Sequence, residues 1–286
     1  MTEIAFLMGL LVAISWGISD YLAGKTSRLV GVNRTAIFTQ SVGFIFVSMF
    51  ILMTPAIRIY TAEVGLSGWG YGATSVLLNL AGALGLLKAF SLGRVALIAP
   101  LVTGYAAITT TLDFFTGTPL AGLQLVGIIF CLIGAPLAAA KAGSDNSYHA
   151  SGVLYALASS VCFGVGFWIQ GKFAVPELGA ALSLWLFFAI GVPVLLLIMT
   201  VKRENILPPR AALPILSCQS FCTLIGYGGF AIGVSYGSVA VVTVLSTFAA
   251  AVAAVLGLTF GKERLNSIQW IGLISIILGV VLLRIP

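Results

Sequence analysis

The sequence predicts an all-α membrane protein: ten transmembrane helices arranged as two inverted five-helix repeats. Three observations lead there. Of 286 residues, 60% are apolar and 8% charged, with a mean hydropathy of +1.14, which leaves too little charged surface to enclose a soluble core. The apolar residues gather into runs of membrane-spanning length that are continuous, as from Ile271 to Leu283, rather than alternating, so the spans are helices and not barrel strands. Finally, residues 69–140 recur in pattern at 213–285.

In order, the expected spans are 4–24, 35–54, 69–90, 94–114, 121–140, 150–172, 178–200, 211–234, 238–259 and 267–284. The first carries Trp16 and Asp20 one helical turn apart, hence on one face. Met1-Thr2-Glu3 lacks a basic leader and Trp16-Gly17 is no cleavage site, so this span is expected to stay in the mature chain. The third carries Ser75 and Asn79 together with the small-residue face Ala81, Gly85 and Ala89. The fourth is interrupted by Pro100, which removes a backbone hydrogen bond and marks either a hinge or a static kink, with Thr103 and Tyr105 one turn further on.

The fifth span closes a first repeat at 4–140, and a connecting loop, 141–149, leads to a second repeat at 150–285. There the sixth span aligns Gly164, Gly171 and Lys172 with Gly17, Gly24 and Lys25, and Trp168 with Tyr21. The eighth bears Gln219, Thr223 and Tyr227 at steps of four, a polar stripe that is costly to turn toward lipid. The ninth has the small-residue face Ser246, Ala250 and Ala254.

Basic residues set the expected topology. Loops after odd-numbered spans hold Lys25, Arg28, Arg34, Lys88, Arg94, Lys141, Lys202, Arg203, Arg210, Lys262 and Arg264, whereas the other side holds only Arg58, Lys172 and Arg284. The positive-inside rule places the first group in the cytoplasm and both termini outside. Scattered over short loops, this charge forms no nucleic-acid patch.

The two halves align without insertion over Leu80-x-Gly82-x-x-Gly85 and Ser91-x-Gly93-x-Val95-Ala96 against Leu224-x-Gly226-x-x-Gly229 and Ser235-x-Gly237-x-Val239-Ala240. One register step later, Leu120, Gln124, Gly127 and Gly134 match Leu265, Gln269, Gly272 and Gly279. An odd number of spans per copy forces the copies into opposite orientations, which permits two related packings around one midplane site.

The segment Ser91 to Pro100 and the ending Phe260-Gly261-Lys262-Glu263-Arg264-Leu265 through Gln269-Trp270-Ile271-Gly272 to Gly279-Val280 resemble the EamA-type drug/metabolite transporter superfamily over essentially the whole chain. That resemblance implies a ten-helix transporter whose central cavity is bounded mainly by helices 1, 3, 4, 6, 8 and 9, and exporters of amino acids or metabolites are common in the family. One departure stands out: Thr118-Pro119 occupies the place of Glu263 in the first repeat, which argues against a paired-carboxylate mechanism.

The candidate substrate-binding residues are Trp16, Asp20, Asn79, Tyr105, Trp168, Gln219 and Tyr227, with Pro100 as candidate hinge. Each has a plainer reading. Asp20 either meets a substrate amine or a proton, or forms a structural ion pair with Lys25 or Lys88; Trp16, Trp168 and Tyr105 either line a cavity or pack; the polar stripes line a cavity or bond to one another. Cys131, Cys162, Cys218 and Cys222 read as small core residues, and His149 lies in the connecting loop, so no metal or cofactor site is expected. HExxH and nucleotide-binding loops are missing, and Gly233-Val234-Ser235-Tyr236-Gly237, which fits GxSxG, falls at the end of an expected membrane helix without the strand-to-helix turn of a nucleophile elbow, so no enzyme is expected.

The expected function is therefore secondary transport of a small metabolite, an amino acid or related solute, across the cytoplasmic membrane and outward, by alternating access. Proton coupling and a monomer or homodimer both stay open. The alternatives are a flippase for a lipid-linked substrate and a non-transporting scaffold or receptor.

Overall fold

The computed structural model describes residues 3–57, 64–117, 122–138, 150–237, 239–262 and 265–283. The connecting loop 141–149 with His149, and Arg58, Glu63, Thr118, Pro119, Asp145, Glu263, Arg264 and Arg284, lie outside the described residues. Among those described the chain is all-helical, with no strand.

The principal α-helices among the described residues are α1 Glu3–Val30, α2 Val32–Met53, α3 Leu66–Leu92, α4 Val95–Val102, α5 Tyr105–Phe115, α6 Gly122–Ala138, α7 Ala150–Ile169, α8 Val175–Val201, α9 Leu213–Tyr236, α10 Val239–Ser246, α11 Ala249–Thr259 and α12 Ser267–Leu283. Seven helical stretches are long and apolar enough to cross a membrane. The longest of these runs from Ala150 to Val201, 52 residues, which at 1.5 Å per residue would be more than twice the thickness of a bilayer core. It is divided by a π-helical turn at Gln170–Ala174 and by Gly179, whose φ of 73° and ψ of 163° reverse the chain. The expected boundary between the sixth and seventh spans thus moves to Gly179.

A single residue, Gly31 at φ 92°, joins α1 to α2, and only a residue without a Cβ takes that conformation cheaply. This makes α1 longer than its expected 4–24. The expected fourth and ninth spans are each broken in two. Pro100 is not the common cause, because Val244 occupies its place in the second break. What the breaks share is a threonine that turns its hydroxyl back three residues: Thr103 Oγ1 donates to the Pro100 carbonyl and Thr247 Oγ1 to that of Val244, each at 2.6 Å. Such local side-chain bonds compete with the helical ladder.

Packing between the halves is reciprocal. The first helix of each half lies on the third of the other, α1 on α9 and α3 on α7, while α2 packs on α8 and α6 on α12. Glycines make these crossings close. A Cβ at Gly17 would meet Val252 and, at 2.8 Å, the Ala249 carbonyl; one at Gly164 would meet Ile108 at 2.6 Å and the Tyr105 carbonyl at 3.1 Å. These are aligned positions: Gly17 corresponds to Gly164, Val252 to Ile108 and Ala249 to Tyr105. Likewise Gly82 faces Phe163 as Gly226 faces Trp16, and Gly85 faces Ser159 as Gly229 faces Val12.

One end of the bundle collects basic loops. Arg28 donates to the carbonyls of Phe90 and Gly93, tying the end of α1 to the end of α3, and Arg34 Nε donates to the Asn205 carbonyl at 2.6 Å. At the opposite end Ser67 donates to Glu177 at 2.6 Å and Lys172 pairs with Asp113 at 3.5 Å. Two cysteines, Cys162 and Cys222, are half-buried and Cys218 is exposed, so the reading of Cys218 as a core residue is corrected: its helix turns that position outward.

Candidate functional site

A chamber with a volume of about 110 Å³ lies within the bundle, room for several waters or a compact solute. Residues from both halves wall it. From α1 come Trp16, Ser19, Asp20 and Ala23; from α2 Thr39 and Gln40; from α3 Leu80, Leu84 and Leu87; from α4 and the turn after it Ala99, Val102 and Thr103; from α5 Tyr105; from α7 Phe163 and Phe167; from α8 Phe187; from α9 Gln219, Thr223 and Tyr227; and from α11 Ala249 and Ala250. The α2 and α8 residues extend the wall beyond the helices that the family resemblance names.

Depth follows from helix direction. The lining residues of α1 and α3 lie in the second halves of those helices and those of α2 and α9 begin near their starts. The chamber therefore runs from mid-depth toward the basic end.

Its floor is aromatic. Trp16 and Phe167 stack with centroids 5.4 Å apart, Phe167 lies 4.7 Å from Phe230, and Phe187 stacks on Tyr227 at 4.3 Å. Phe167 and Phe230 are buried, so the floor is a packed layer. Tyr105 closes one corner, its ring edge-on to Phe167 at 5.4 Å. Because Ser246 Oγ spends its hydrogen on the Thr243 carbonyl at 2.7 Å, the Tyr105 hydroxyl donates to Ser246, also at 2.7 Å.

Above the floor the wall is polar. Ser19 and Thr223 share a hydrogen bond of 2.7 Å, and Thr26 donates to Gln219 Oε1 at 2.6 Å, joining α1 to α9. Gln40 Oε1 is buried with no donor. Asp20 is half-buried and lines the chamber. Among the described residues neither an ion pair nor a hydrogen bond engages the Asp20 carboxylate. The alternative of a structural ion pair is therefore not what forms: Lys25 is exposed, with Nζ 4.5 Å from the centroid of the Tyr21 ring.

Of the residues singled out from sequence, Trp16, Asp20, Tyr105, Gln219 and Tyr227 converge on the chamber, and Thr223 completes the α9 stripe there. Trp16 also packs, so both of its readings hold. Two residues lie elsewhere. Asn79 is buried and turned to α7, donating to Gln170 Oε1 at 3.1 Å, and Gln170 in turn donates to Ser183 at 3.4 Å. Trp168 points its ring edge-on against Phe173 at 5.2 Å. Pro100 sits beside the break after α4 and borders a small second void with Thr247 and Phe248. Sequence reasoning missed Gln40 and Phe167. An amide inside an apolar span was a readable signal for the former, whereas Phe167 is one of 18 phenylalanines and nothing local marks it.

Helices of crossing length around a mid-depth chamber define a multi-pass integral membrane protein with an internal solute-sized site. Comparison with known proteins agrees. Residues 150–285, just under half of the chain, match the model of the EamA-like transporter family, a family of the drug/metabolite transporter superfamily. A solved crystal structure superposes with a TM-score of 0.72 over 99% of this chain and 96% of its own, at 18% identity, a likeness that shows the fold. No curated protein matches the sequence.

Proposed function

We propose that the protein is a secondary transporter that carries a small, amino-bearing metabolite outward across the cytoplasmic membrane by alternating access. In this reading α4 with α5, and α10 with α11, each make one crossing, giving ten. The halves, 4–140 and 150–285, are then inverted copies with both termini outside. The reciprocal glycine contacts support that relation, since aligned positions meet aligned partners across the two halves.

The observation that carries the proposal is the chamber itself, built by helices of both halves, closed on one side by the aromatic floor and bearing an unpaired carboxylate. A carboxylate at that depth costs free energy that a structural role does not offset. Rocking the halves about their shared crossings would transfer the chamber's opening from the basic end to the other. The energy source is a gradient of solute or ion, with Asp20 the group proposed to carry a coupled proton.

Counterflow in proteoliposomes holding the purified chain tests this, with amines, amino acids, sugars, nucleotides and polyamines as the panel. Saturable exchange of one class is expected. A chain that exchanges none of them is not a metabolite transporter, and stimulation by lipid-linked sugars alone would point to a flippase. For coupling, Asp20→Asn is expected to abolish accumulation driven by a proton gradient; full retention excludes Asp20 as the coupling group.

A further inference from the structure

The chamber has an uneven supply of hydrogen-bonding groups. Its wall holds one carboxylate, Asp20, and no Lys, Arg or His. One of its acceptors, the Asp20 carboxylate, lacks a donor; Gln40 Oε1 lacks one too, but it is buried against Gly191, where a Cβ would meet it at 2.7 Å, and so faces α8. The one buried donor left over, Trp16 Nε1, is pressed against Gly226, where a Cβ would collide with it, and so faces α9 rather than a solute.

A bound solute must satisfy this imbalance or suffer for it. An ammonium group brings three donors and a positive charge, matching an unpaired carboxylate. A solute carboxylate would meet only neutral amides and hydroxyls, beside a like charge and walled off from water, where an unpaired anion is strongly disfavoured. Leucines and aromatic rings make most of the remaining wall, which suits an apolar body.

We infer that the chamber selects carboxylate-free monoamines, holding the ammonium at Asp20 and the apolar body against Trp16, Phe187 and Tyr227. This rests on the transporter reading above and narrows it, setting aside the zwitterionic amino acids.

Titration calorimetry on the full chain in detergent, with three solutes of one skeleton, tests the inference: phenethylamine, L-phenylalanine and 2-phenylethanol. Phenethylamine is expected to bind at least about tenfold more tightly than either of the others, the scale set by truncating one partner of a desolvated charge pair. Asp20→Asn, shown to be folded by its elution and helical signal, is expected to erase that preference. Equal or tighter binding of phenylalanine or phenylethanol by the unmodified chain overturns the inference without recourse to any variant. So does undiminished amine binding by Asp20→Asn. If the amine does not bind while another solute passes the counterflow assay, monoamine selection fails and transport stands; if nothing exchanges, both fail.

Discussion

Gly17→Ala should destabilise the protein although alanine is the better helix former. In an exposed helix the substitution gains about 1 kcal/mol. At Gly17 the added methyl would meet Val252 and, at 2.8 Å, the backbone carbonyl of Ala249. A side chain can rotate away, but a carbonyl held at the start of α11 cannot move without shifting the helix. Overpacking of this kind costs about 1–3 kcal/mol, and a clash with fixed backbone falls in the upper part of that range, about 2–3 kcal/mol, so the net loss expected is about 1–2 kcal/mol once the helical gain is subtracted. Gly164→Ala should behave alike, because its methyl would meet Ile108 at 2.6 Å and the Tyr105 carbonyl at 3.1 Å. Gly70, with nothing within 4 Å of its Cβ position, supplies the opposite sign: Gly70→Ala should hold or raise stability. Thermal unfolding of the detergent-purified variants, followed by far-UV circular dichroism, reads all three. Were Gly17→Ala to melt at or above the unmodified protein, or Gly70→Ala to fall as far as Gly17→Ala, the close crossing of α1 and α11 would be refuted.

Three further outcomes are expected. Lys172→Met should cost more than Asp113→Asn, by about 1–2 kcal/mol in the same unfolding assay, because the carboxylate of the 3.5 Å pair is the buried partner and removing the lysine leaves it charged. Equal losses would show that the pair acts only as surface charge. Tyr105→Phe deletes the donor to Ser246 that joins α5 to α10 and should cost about 1 kcal/mol, while a neutral result would mean the bond is replaced by water. In a background stripped of native cysteines, Ser183→Cys should react slowly with an impermeant maleimide added outside, and adding Asn79→Ala, which frees Gln170, should speed it about fivefold, the shift expected from one lost hydrogen bond.

What the sequence made legible follows from what lipid demands of a chain. Apolar runs and their glycines are dictated residue by residue, so the helices and the recurrence of Gly17 as Gly164 could be read directly. The α9 stripe was legible for the same reason: three polar residues at steps of four must avoid lipid, and all three reach the chamber. Asn79 shows the limit. Its spacing with Ser75 promised the same outcome, but which buried surface a polar stripe meets depends on the neighbouring helix, and α7 offers Asn79 the amide of Gln170 across a close approach at Gly166. The helix breaks were hidden differently. Proline drew attention to Pro100, while the turn-forming Thr103 and Thr247 look like any membrane threonine until their hydroxyls are placed.

The same alignment explains why the chamber lies at one end only. Asp20 corresponds to Phe167, Gln40 to Phe187 and Ala23 to Gln170, so each half supplies one polar and one apolar version of nearly the same surface. At the basic end the versions combine into an open wall with a carboxylate. At the opposite end Asn79, Gln170 and Ser183 close on one another by hydrogen bonds, leaving Asn79 Oδ1 buried without a donor. An unpaired buried amide oxygen costs about 1–3 kcal/mol, a penalty that water would relieve once this end opened. The two halves keep the glycines of their close crossings, Gly17 and Gly164, while differing at Asp20 and Phe167, so the packing is shared and the chemistry of the chamber is not.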